Sequence, residues 1–301
     1  MDSVIEIHGL RKTYGPVVAV DEVSFNVQAG EIFGIVGPNG AGKTTTVECI
    51  EGHRTPDGGH VKVLGLDPIR DSRRLKQRIG IQLQEANLPD RLRVWESLDL
   101  FASFYERAVD WSELLSRVGL TEKRNAPFGK LSGGQKQRLL IALALISDPE
   151  LVLLDELTTG LDPQARHAMW QLIRDIRARG KTIVLTTHYM EEAERLCDRV
   201  LIMDRGAIIA LDKPGELIRH SNADTRVVFE LEDSLNESSF AFATRIERQG
   251  NQISIYGRGE EFAGEVLRCL GAEGYSVRNL RTEHPNLETV FLALTGREMP
   301  T

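Results

Sequence analysis

The chain has 301 residues, which is long for one hydrophobic core and therefore favours two domains. Hydrophobic residues make up 41% and charged residues 27%, as in ordinary soluble proteins, and the net charge of −7 argues against a nucleic-acid partner gripped along its phosphate backbone. No apolar run approaches the ~20 residues that cross a bilayer, and the N-terminus lacks the charged start and apolar core of a signal peptide.

The first 30 residues carry the first strand candidates. Residues 4–10 alternate apolar and polar side chains, which predicts a strand with one covered face. Residues 17–27 are interpreted as a second strand pair. Tyr14, just after the first strand, could stack on an adenine ring, and the alternative is an ordinary packing role.

The segment GPNGAGKTTT, residues 37–46, follows a hydrophobic run that predicts a buried strand at 32–36, and it precedes a predicted helix. Its spacing G-x-x-x-x-G-K-[ST] is that of the phosphate-binding loop. Glycines let the backbone turn with its N–H groups around a phosphate chain, and the helix adds the positive end of its dipole. Lys43 supplies a charge for the β- and γ-phosphates, and the Thr44 hydroxyl can ligate Mg²⁺. A nucleoside triphosphate site is predicted, and its residues are Gly37, Pro38, Asn39, Gly40, Ala41, Gly42, Lys43, Thr44 and Thr45.

Two further short strands are predicted at 58–64 and 79–83. Gln84 closes the second, and taken alone a glutamine there is an ordinary polar strand end. Between residues 88 and 124 the pattern becomes helical, and Trp111 begins a second helix that Gly119 ends. One apolar helix face is formed by Val94, Leu98, Phe101 and Tyr105.

The segment LSGGQKQR, residues 131–138, predicts a helix start with a second anion site. Ser132 is a good N-cap, and the glycines leave backbone N–H groups uncovered. The following stretch, residues 139–146, is apolar nearly all round and should be deeply buried. Asp148, before a proline, ends this helix.

Residues 151–154 predict a strand buried on both faces that ends in two carboxylates, Asp155 and Glu156. Successive strand residues point to opposite sides, so the two acids should have different roles. Asp155, beside the phosphate loop, suits a Mg²⁺ ligand. Glu156 suits the base that takes a proton from attacking water.

Asp162, followed by a proline, predicts the N-cap of a helix that runs to Gly180. Residues 181–187 predict another buried strand, which closes on His188. A histidine there is usually structural, but the end of this strand should lie on the ligand side of a parallel sheet. Residues 199–211 predict a last hairpin.

Beyond residue 215 the pattern changes to a small α+β unit without a catalytic constellation. Its glutamate and arginine pairs are interpreted as a solvated face. Strands are predicted at 227–231, 243–247, 253–256 and 275–280, and helices at 262–270 and 287–294.

Taken together, these features resemble the ATP-binding subunit of an ABC transporter over residues 1–215. The matching positions, in order, are the phosphate loop at 37–44, Gln84, the LSGGQ signature with Ser132, Gly133, Gly134 and Gln135, the pair Asp155 and Glu156, the segment 160–162 and His188. Residues 285–296 resemble more loosely the tail of daunorubicin-resistance-type drug exporters of the ABC-2 group. Leu157 departs from the proline usual in the family, which should change loop stiffness more than chemistry.

The resemblance implies an α/β fold of the P-loop NTPase class. Its ABC ATPase domain, residues 1–215, would contain a RecA-like sheet, an antiparallel β subdomain and a helical subdomain at about 85–147. A small C-terminal α+β domain would occupy residues 225–301.

The resemblance also implies roles for single residues. Tyr14 would stack on adenine, and Lys43 would hold the phosphates. Thr44 and Asp155 would be ligands of Mg²⁺. Gln84 would touch Mg²⁺ or the attacking water and sense a membrane partner. Glu156 would be the general base, and His188 would contact the γ-phosphate. Residues expected to contact ATP held by a second copy are Ser132, Gly133, Gly134, Gln135 and Asp162.

The expectation that a second copy takes part also has a physical basis. A signature loop on its own helical subdomain is a poor partner for the phosphate loop of the same chain, whereas two chains placed head to tail bring both anion sites onto one nucleotide. Each hydrogen bond to a charged phosphate contributes roughly 1.5–3 kcal/mol, so several can drive closure. Hydrolysis removes the bridging γ-phosphate and lets the copies part.

The resulting hypothesis is a motor subunit on the cytoplasmic face of the membrane that powers export through separate permease subunits. These should dock near residues 84–100. Three singly placed cysteines, Cys49, Cys197 and Cys269, fit reduced thiols in a cytosolic protein. The alternatives are an importer subunit and a non-transport ATPase acting on DNA or ribosomes, which the acidic charge disfavours. The tail favours drug export and antibiotic resistance, although drug, lipid and polysaccharide cargo all remain open.

Overall fold

The computed structural model describes residues 3–82, 88–221, 223–259 and 261–296. The chain forms two compact units, the first ending at Pro214 and the second beginning at Gly215. Each unit contains its own cluster of buried apolar side chains, so each can be understood by itself.

Strands and helices account for most of the described chain. The strands are β1 Ser3–Tyr14, β2 Val17–Gln28, β3 Ile32–Val36, β4 Gly58–Val63, β5 Ile79–Gln82, β6 Leu151–Asp155, β7 Thr182–Thr187, β8 Arg199–Asp204, β9 Ala207–Asp212, β10 Thr225–Glu230, β11 Arg245–Gln249, β12 Gln252–Gly257 and β13 Arg278–Glu283. The α-helices are α1 Lys43–Ile50, α2 Ser72–Lys76, α3 Val94–Ala102, α4 Trp111–Arg117, α5 Gly133–Ala144, α6 Pro163–Ala178, α7 Met190–Leu196, α8 Pro214–His220, α9 Phe262–Ala272 and α10 Leu287–Thr295.

The main sheet of the first unit has the strand order β5-β6-β7-β3-β8-β9. Neighbouring strands run parallel except for β9, which pairs antiparallel with β8. Every residue of β3, β6 and β7 is buried, which explains their nearly continuous apolar sequences.

The register of these three strands brings their carboxyl ends together. Val36, the last residue of β3, lies opposite Thr187 of β7, and Asp155 of β6 lies opposite Thr186. The segments that leave β3, β6 and β7 therefore start side by side at one edge of the sheet, where parallel sheets bind ligands.

A second, antiparallel sheet has the order β2-β1-β4. Here the sequence interpretation was wrong in two respects: β1 continues to Tyr14, and β2 is one long strand instead of a pair. The extension is held by pairing across the hairpin, where Tyr14 faces Val17. The carboxylate of Asp57 also binds the Thr13 N–H and hydroxyl, at 2.7 Å each.

The helical segment is shorter than its periodicity predicts. In α3, Val94 and Leu98 are fully buried, but the helix ends at Ala102, so Tyr105 lies beyond it. Asp110 caps α4 by accepting a hydrogen bond from the Ser112 N–H at 2.8 Å. The predicted burial of residues 139–146, which lie in α5 and just after it, is confirmed, since none of them exceeds 8% exposure.

The second unit is built on an antiparallel sheet with the order β11-β12-β10-β13. Phe229 and Ile255 of its strands pack with Phe262 and Val266 of α9 in one buried cluster. The last strand begins at Arg278, three residues later than predicted, because this edge strand is largely exposed and has no strong apolar alternation.

Candidate functional site

The phosphate loop lies between β3 and α1, with close backbone contacts that require glycine at two positions. A Cβ atom at Gly37 would lie 2.2 Å from the Met203 carbonyl oxygen. At Gly42, where φ is 101°, it would lie 2.4 Å from the Ala19 carbonyl oxygen. The loop therefore packs directly on neighbouring backbone and starts α1 at Lys43.

Lys43 is 4% exposed and points back into its own loop. Its Nζ donates hydrogen bonds to the carbonyl oxygens of Gly37, at 2.8 Å, and Pro38, at 3.1 Å. Burial lowers the pKa of this amine, and the nearby carboxylates of Glu156 and Asp155 oppose that shift. A partly desolvated cation held in a glycine-rich loop is suited to a phosphate chain.

Asp155 lies at the end of β6, where the hydroxyl of Thr186 donates a hydrogen bond to its carboxylate. Burial raises the pKa of Asp155, and the nearby hydroxyls of Thr186 and Thr44 oppose the rise. A carboxylate beside a threonine hydroxyl offers the hard oxygen ligands that Mg²⁺ prefers, so this pair fits the cation. Among the described residues, no cluster of three or more His, Cys, Asp or Glu forms an all-protein metal cage.

Glu156 has a left-handed backbone, with φ 47°. Its N–H donates to the backbone and side-chain oxygens of Thr186, at 3.2 and 3.1 Å. Its carboxylate lies between two groups: Oε1 is 3.6 Å from Lys43 Nζ, and Oε2 is 3.6 Å from His188 Nδ1. The two acids thus have different partners, as their places on the strand predict.

His188 follows β7 directly, and its side chain is 19% exposed. Its ring packs against the ring of Tyr189, with centroids 4.1 Å apart. The ends of β3, β6 and β7 therefore bring Lys43, Glu156 and His188 into one partly exposed cluster.

The signature residues lie at the start of α5. The Ser132 hydroxyl accepts a hydrogen bond from the Gln135 N–H at 3.4 Å, and the Gln135 side chain accepts one from the Ser132 N–H at 3.0 Å. Gly133 is exposed, and a Cβ there would have no neighbour within 4 Å. At Gly134 a Cβ would lie 3.4 Å from Ala165, on the first turn of α6.

Asp162 caps that neighbouring helix, as predicted, by accepting a hydrogen bond from the Ala165 N–H at 2.9 Å. The starts of α5 and α6 therefore lie side by side, and both are exposed. The hydrogen bonds of Ser132, Gln135 and Asp162 described above join residues of the same helix start. Within the described residues, no other part of the chain is bonded to them there, so these exposed helix starts are accessible to a second molecule.

Tyr14 ends β1 with 40% of its surface exposed. The cationic groups of Lys12 and Arg54 lie 5.8 and 5.5 Å from the centre of its ring. An accessible aromatic ring flanked by cations suits a nucleotide base. Gln84, the other predicted contact, lies outside the described residues.

Two features of this region were missed from the sequence. Thr186 binds both Asp155 and the Glu156 N–H, and a pair of threonines ending an apolar strand is the only signal for it. Glu192 on α7 is buried and accepts a hydrogen bond from Trp170. In the sequence it belongs to an acidic segment of the kind typical of a solvated helix face.

No helix in the described part of the chain is long and apolar enough to span a membrane. Cys49 and Cys197 are buried free thiols, and Cys269 is partly exposed.

Comparisons with known proteins agree on one family. The ABC transporter family matches residues 20–159. The Nod factor export ATP-binding protein I of Ralstonia nicotianae is 41% identical, over 98% of this chain and 95% of that protein. Its namesake from Bradyrhizobium diazoefficiens is also 41% identical, over 98% of this chain and 97% of that protein.

Solved structures agree with this result. An ATP-binding subunit of an ABC transporter has a TM-score of 0.65 and 29% identity, covering 72% of this chain and 92% of that one. A dimeric bacterial ABC transporter cassette has a TM-score of 0.62 and 29% identity, covering 69% of this chain and 98% of that one.

Proposed function

This chain belongs to the ATP-binding proteins of ABC transporters, and from that premise we propose that it is the ATP-hydrolysing subunit that powers export through separate membrane subunits. The observation that carries the proposal is the convergence of Lys43, Asp155, Glu156 and His188 at the ends of three adjacent strands. Relatives covering nearly its whole length are named for export. Those names concern Nod factor, so drug resistance has no support from them.

Each residue of the cluster has a role that its surroundings support. Lys43 binds the β- and γ-phosphates, which replace the loop carbonyls that it contacts now. Glu156 accepts a proton from the attacking water, and His188, on its other side, contacts the γ-phosphate. Tyr14 stacks on the adenine.

Thr44 and Asp155 are the side chains that would hold Mg²⁺, and the Thr44 hydroxyl is near enough to lower the pKa of the Asp155 carboxyl. The cation would neutralise charge on the β- and γ-phosphates. Gln84 is proposed as a further contact to it.

The working form is proposed to be a head-to-tail dimer with ATP between the copies. Dimerisation is known for a similar cassette. The exposed start of α5, with Ser132 to Gln135, and the adjacent Asp162 would contact the nucleotide held by the phosphate loop of the other copy. Neither copy then contains a complete reaction centre.

Mixing two inactive variants tests this arrangement. Lys43→Met removes the phosphate contact, and Gly133→Glu places a carboxylate at the signature, where the open space accommodates it without disturbing the fold. Each variant alone should be inactive. A mixed dimer contains one site with both defects and one with neither, so mixing should restore ATP hydrolysis. If the mixture stays inactive while each variant still dimerises with wild-type chain, the head-to-tail site is refuted.

Membrane subunits are proposed to dock near residues 84–100, with the chain on the cytoplasmic face of the membrane as a further part of the proposal. Leu100, in α3, is 47% exposed, and Phe104, two residues beyond the end of α3, is 64% exposed, so the two form an apolar surface suited to a partner helix. Cysteines at these two positions should crosslink to a co-expressed membrane subunit, whereas one at exposed Ile209 should not. Crosslinks confined to residues beyond 215 would contradict this surface.

A further inference from the structure

A buried carboxylate lies just outside the reaction centre. Glu192 on α7 is 2% exposed and accepts a hydrogen bond from the indole Nε1 of Trp170, on α6, at 2.9 Å. The hydroxyls of Thr187 and Thr158 also face this carboxylate. We call these four residues, Glu192, Trp170, Thr187 and Thr158, the Glu192 cluster.

The cluster faces two segments that contribute to the site. Thr187 immediately precedes His188, and its hydroxyl accepts a hydrogen bond from the Tyr189 N–H at 2.9 Å. Thr187 therefore fixes the backbone on both sides of the histidine. Thr158 lies in the segment that runs from Glu156 to Asp162 at the start of α6.

A second contact links the same two segments. The guanidinium carbon of Arg166, on the first turns of α6, lies 4.4 Å from the ring centre of Tyr189. Burial raises the pKa of the Glu192 carboxyl, and the nearby charge of Arg166 is one of the contacts that oppose the rise. The helix that begins at Asp162 is thus packed against the residue that follows His188.

The Thr158 hydroxyl is the unexplained member of the cluster. Its side chain is 0% exposed, and its oxygen has no partner at hydrogen-bonding distance and angle. The hydroxyl nevertheless lies beside the Glu192 carboxylate, close enough to oppose the rise in its pKa. A buried hydroxyl without a hydrogen bond destabilises a fold, and valine would fill the same space without that cost. Threonine at this position is therefore not explained by packing.

We propose that Glu192 is a positioning residue that ties Asp162 to His188. As the segment 156–162 engages the nucleotide of the partner copy, the Thr158 hydroxyl completes a hydrogen bond to Glu192, whose other contacts hold the backbone at His188. Contact with the partner copy is thereby transmitted to the γ-phosphate contact of the same chain. The inference rests on the proposed roles of Asp162 and His188.

The first test is Thr158→Val, which removes only the hydroxyl. Its thermal unfolding midpoint should equal or exceed that of the wild type, because a buried unpaired group is removed. Its kcat for ATP should nevertheless fall by about tenfold, with KM within about twofold, since a lost coupling of this size is typical of contacting residues. Thr158→Ser should restore kcat. Wild-type kcat in Thr158→Val would overturn the proposal.

The second test asks whether Thr158 acts through Glu192. Glu192→Gln keeps the size of the side chain and replaces one carboxyl oxygen with an amide NH₂ group, and it should lower kcat as Thr158→Val does. The double variant should be no slower than the slower single variant, because both changes break one connection. Losses that multiply would overturn the inference. Glu191→Gln, an exposed neighbour on the same helix, is the matched control and should keep wild-type kcat.

His188→Ala, measured in parallel, separates this inference from the proposed function. If His188→Ala keeps full turnover, the proposed role of the histidine fails and the inference fails with it. If His188→Ala loses turnover while Thr158→Val keeps it, the inference alone is wrong.

Discussion

The Nζ of Lys43 lies 3.6 Å from Glu156 Oε1 while it donates hydrogen bonds to the carbonyls of Gly37 and Pro38. The cation is therefore paired with the proposed base as well as with its own loop. We expect the γ-phosphate of bound ATP to pair with the Lys43 ammonium in place of Glu156. The Glu156 carboxylate is then available to a water molecule. The site thus exchanges one anion for another, which limits the electrostatic cost of binding.

Glu156→Gln should lose hydrolysis and keep ATP binding. The amide fills the space of the carboxylate but cannot take a proton, and a general base contributes about 10²- to 10⁴-fold in rate. Steady-state ATPase assays should show that loss, and size-exclusion chromatography with Mg²⁺ and ATP should show a stable dimer. If the variant turns over at the wild-type rate, Glu156 is not the base.

Lys43→Met should weaken ATP binding by about 10- to 100-fold, since hydrogen bonds between charged partners are lost. Without nucleotide, its unfolding midpoint should stay close to that of the wild type, because loss of a buried ammonium offsets the lost hydrogen bonds. Titration calorimetry and thermal unfolding measure the two quantities. Lys130→Met, a change at an exposed lysine, is the control and should bind normally. Unaltered ATP affinity in Lys43→Met would contradict its assignment.

Tyr14→Ala should weaken ATP binding by about 5- to 100-fold, in line with roughly 1–3 kcal/mol for stacking of a base on an aromatic ring. Tyr14→Phe keeps the ring and should bind as the wild type does. Because Tyr14 is 40% exposed, neither change should lower the unfolding midpoint much. Equal affinities of the alanine and phenylalanine variants would rule out stacking.

Glu51, which directly follows α1, predicts a pH dependence of stability. Burial, with the charges of Asp155 and Glu48, raises the pKa of this carboxyl from 4.5 to about 8. The folded chain holds this proton more tightly than the unfolded chain, so the stabilisation is fully present below pH about 4.5 and is lost as the pH rises through about 8. The loss from this group is on the order of 5 kcal/mol.

Urea unfolding of the wild type and Glu51→Gln at pH 5, 6, 7 and 8 isolates this effect, because other carboxyls contribute equally to both chains. The variant should gain stability relative to the wild type as the pH rises. The protonated carboxyl can donate to His53 Nδ1, 2.9 Å away, whose own pKa is lowered mainly by burial. A difference in stability that stays constant over this pH range would show that Glu51 is already ionised at pH 5.

The family, the α/β fold class and the ATPase activity expected from the sequence are confirmed. Local chemistry made this possible. The glycine spacing before Lys43, the cap at Ser132 and the apolar run before Asp155 can each be recognised from a few consecutive residues of the sequence. The roles of individual site residues remain predictions.

Features that depend on distant partners could not be predicted. The extension of β1 to Tyr14 needs the hairpin partner Val17, and periodicity within one strand does not reveal that partner. Burial of Glu192 depends on Trp170, 22 residues earlier in the chain. The neighbouring acidic residues alone would indicate that Glu192 is exposed to solvent. In both places tertiary contacts override the local pattern.

The left-handed backbone of Glu156 has a consequence for the evolution and engineering of this chain. A side chain at φ 47° carries a conformational cost of about 1 kcal/mol that glycine would avoid. Glycine would also lack the proposed base, so the variant is expected to bind ATP without hydrolysing it. Selection or design for stability alone would therefore favour replacing the residue proposed as the general base, so thermostable variants should first be checked for changes at this position and for ATP turnover.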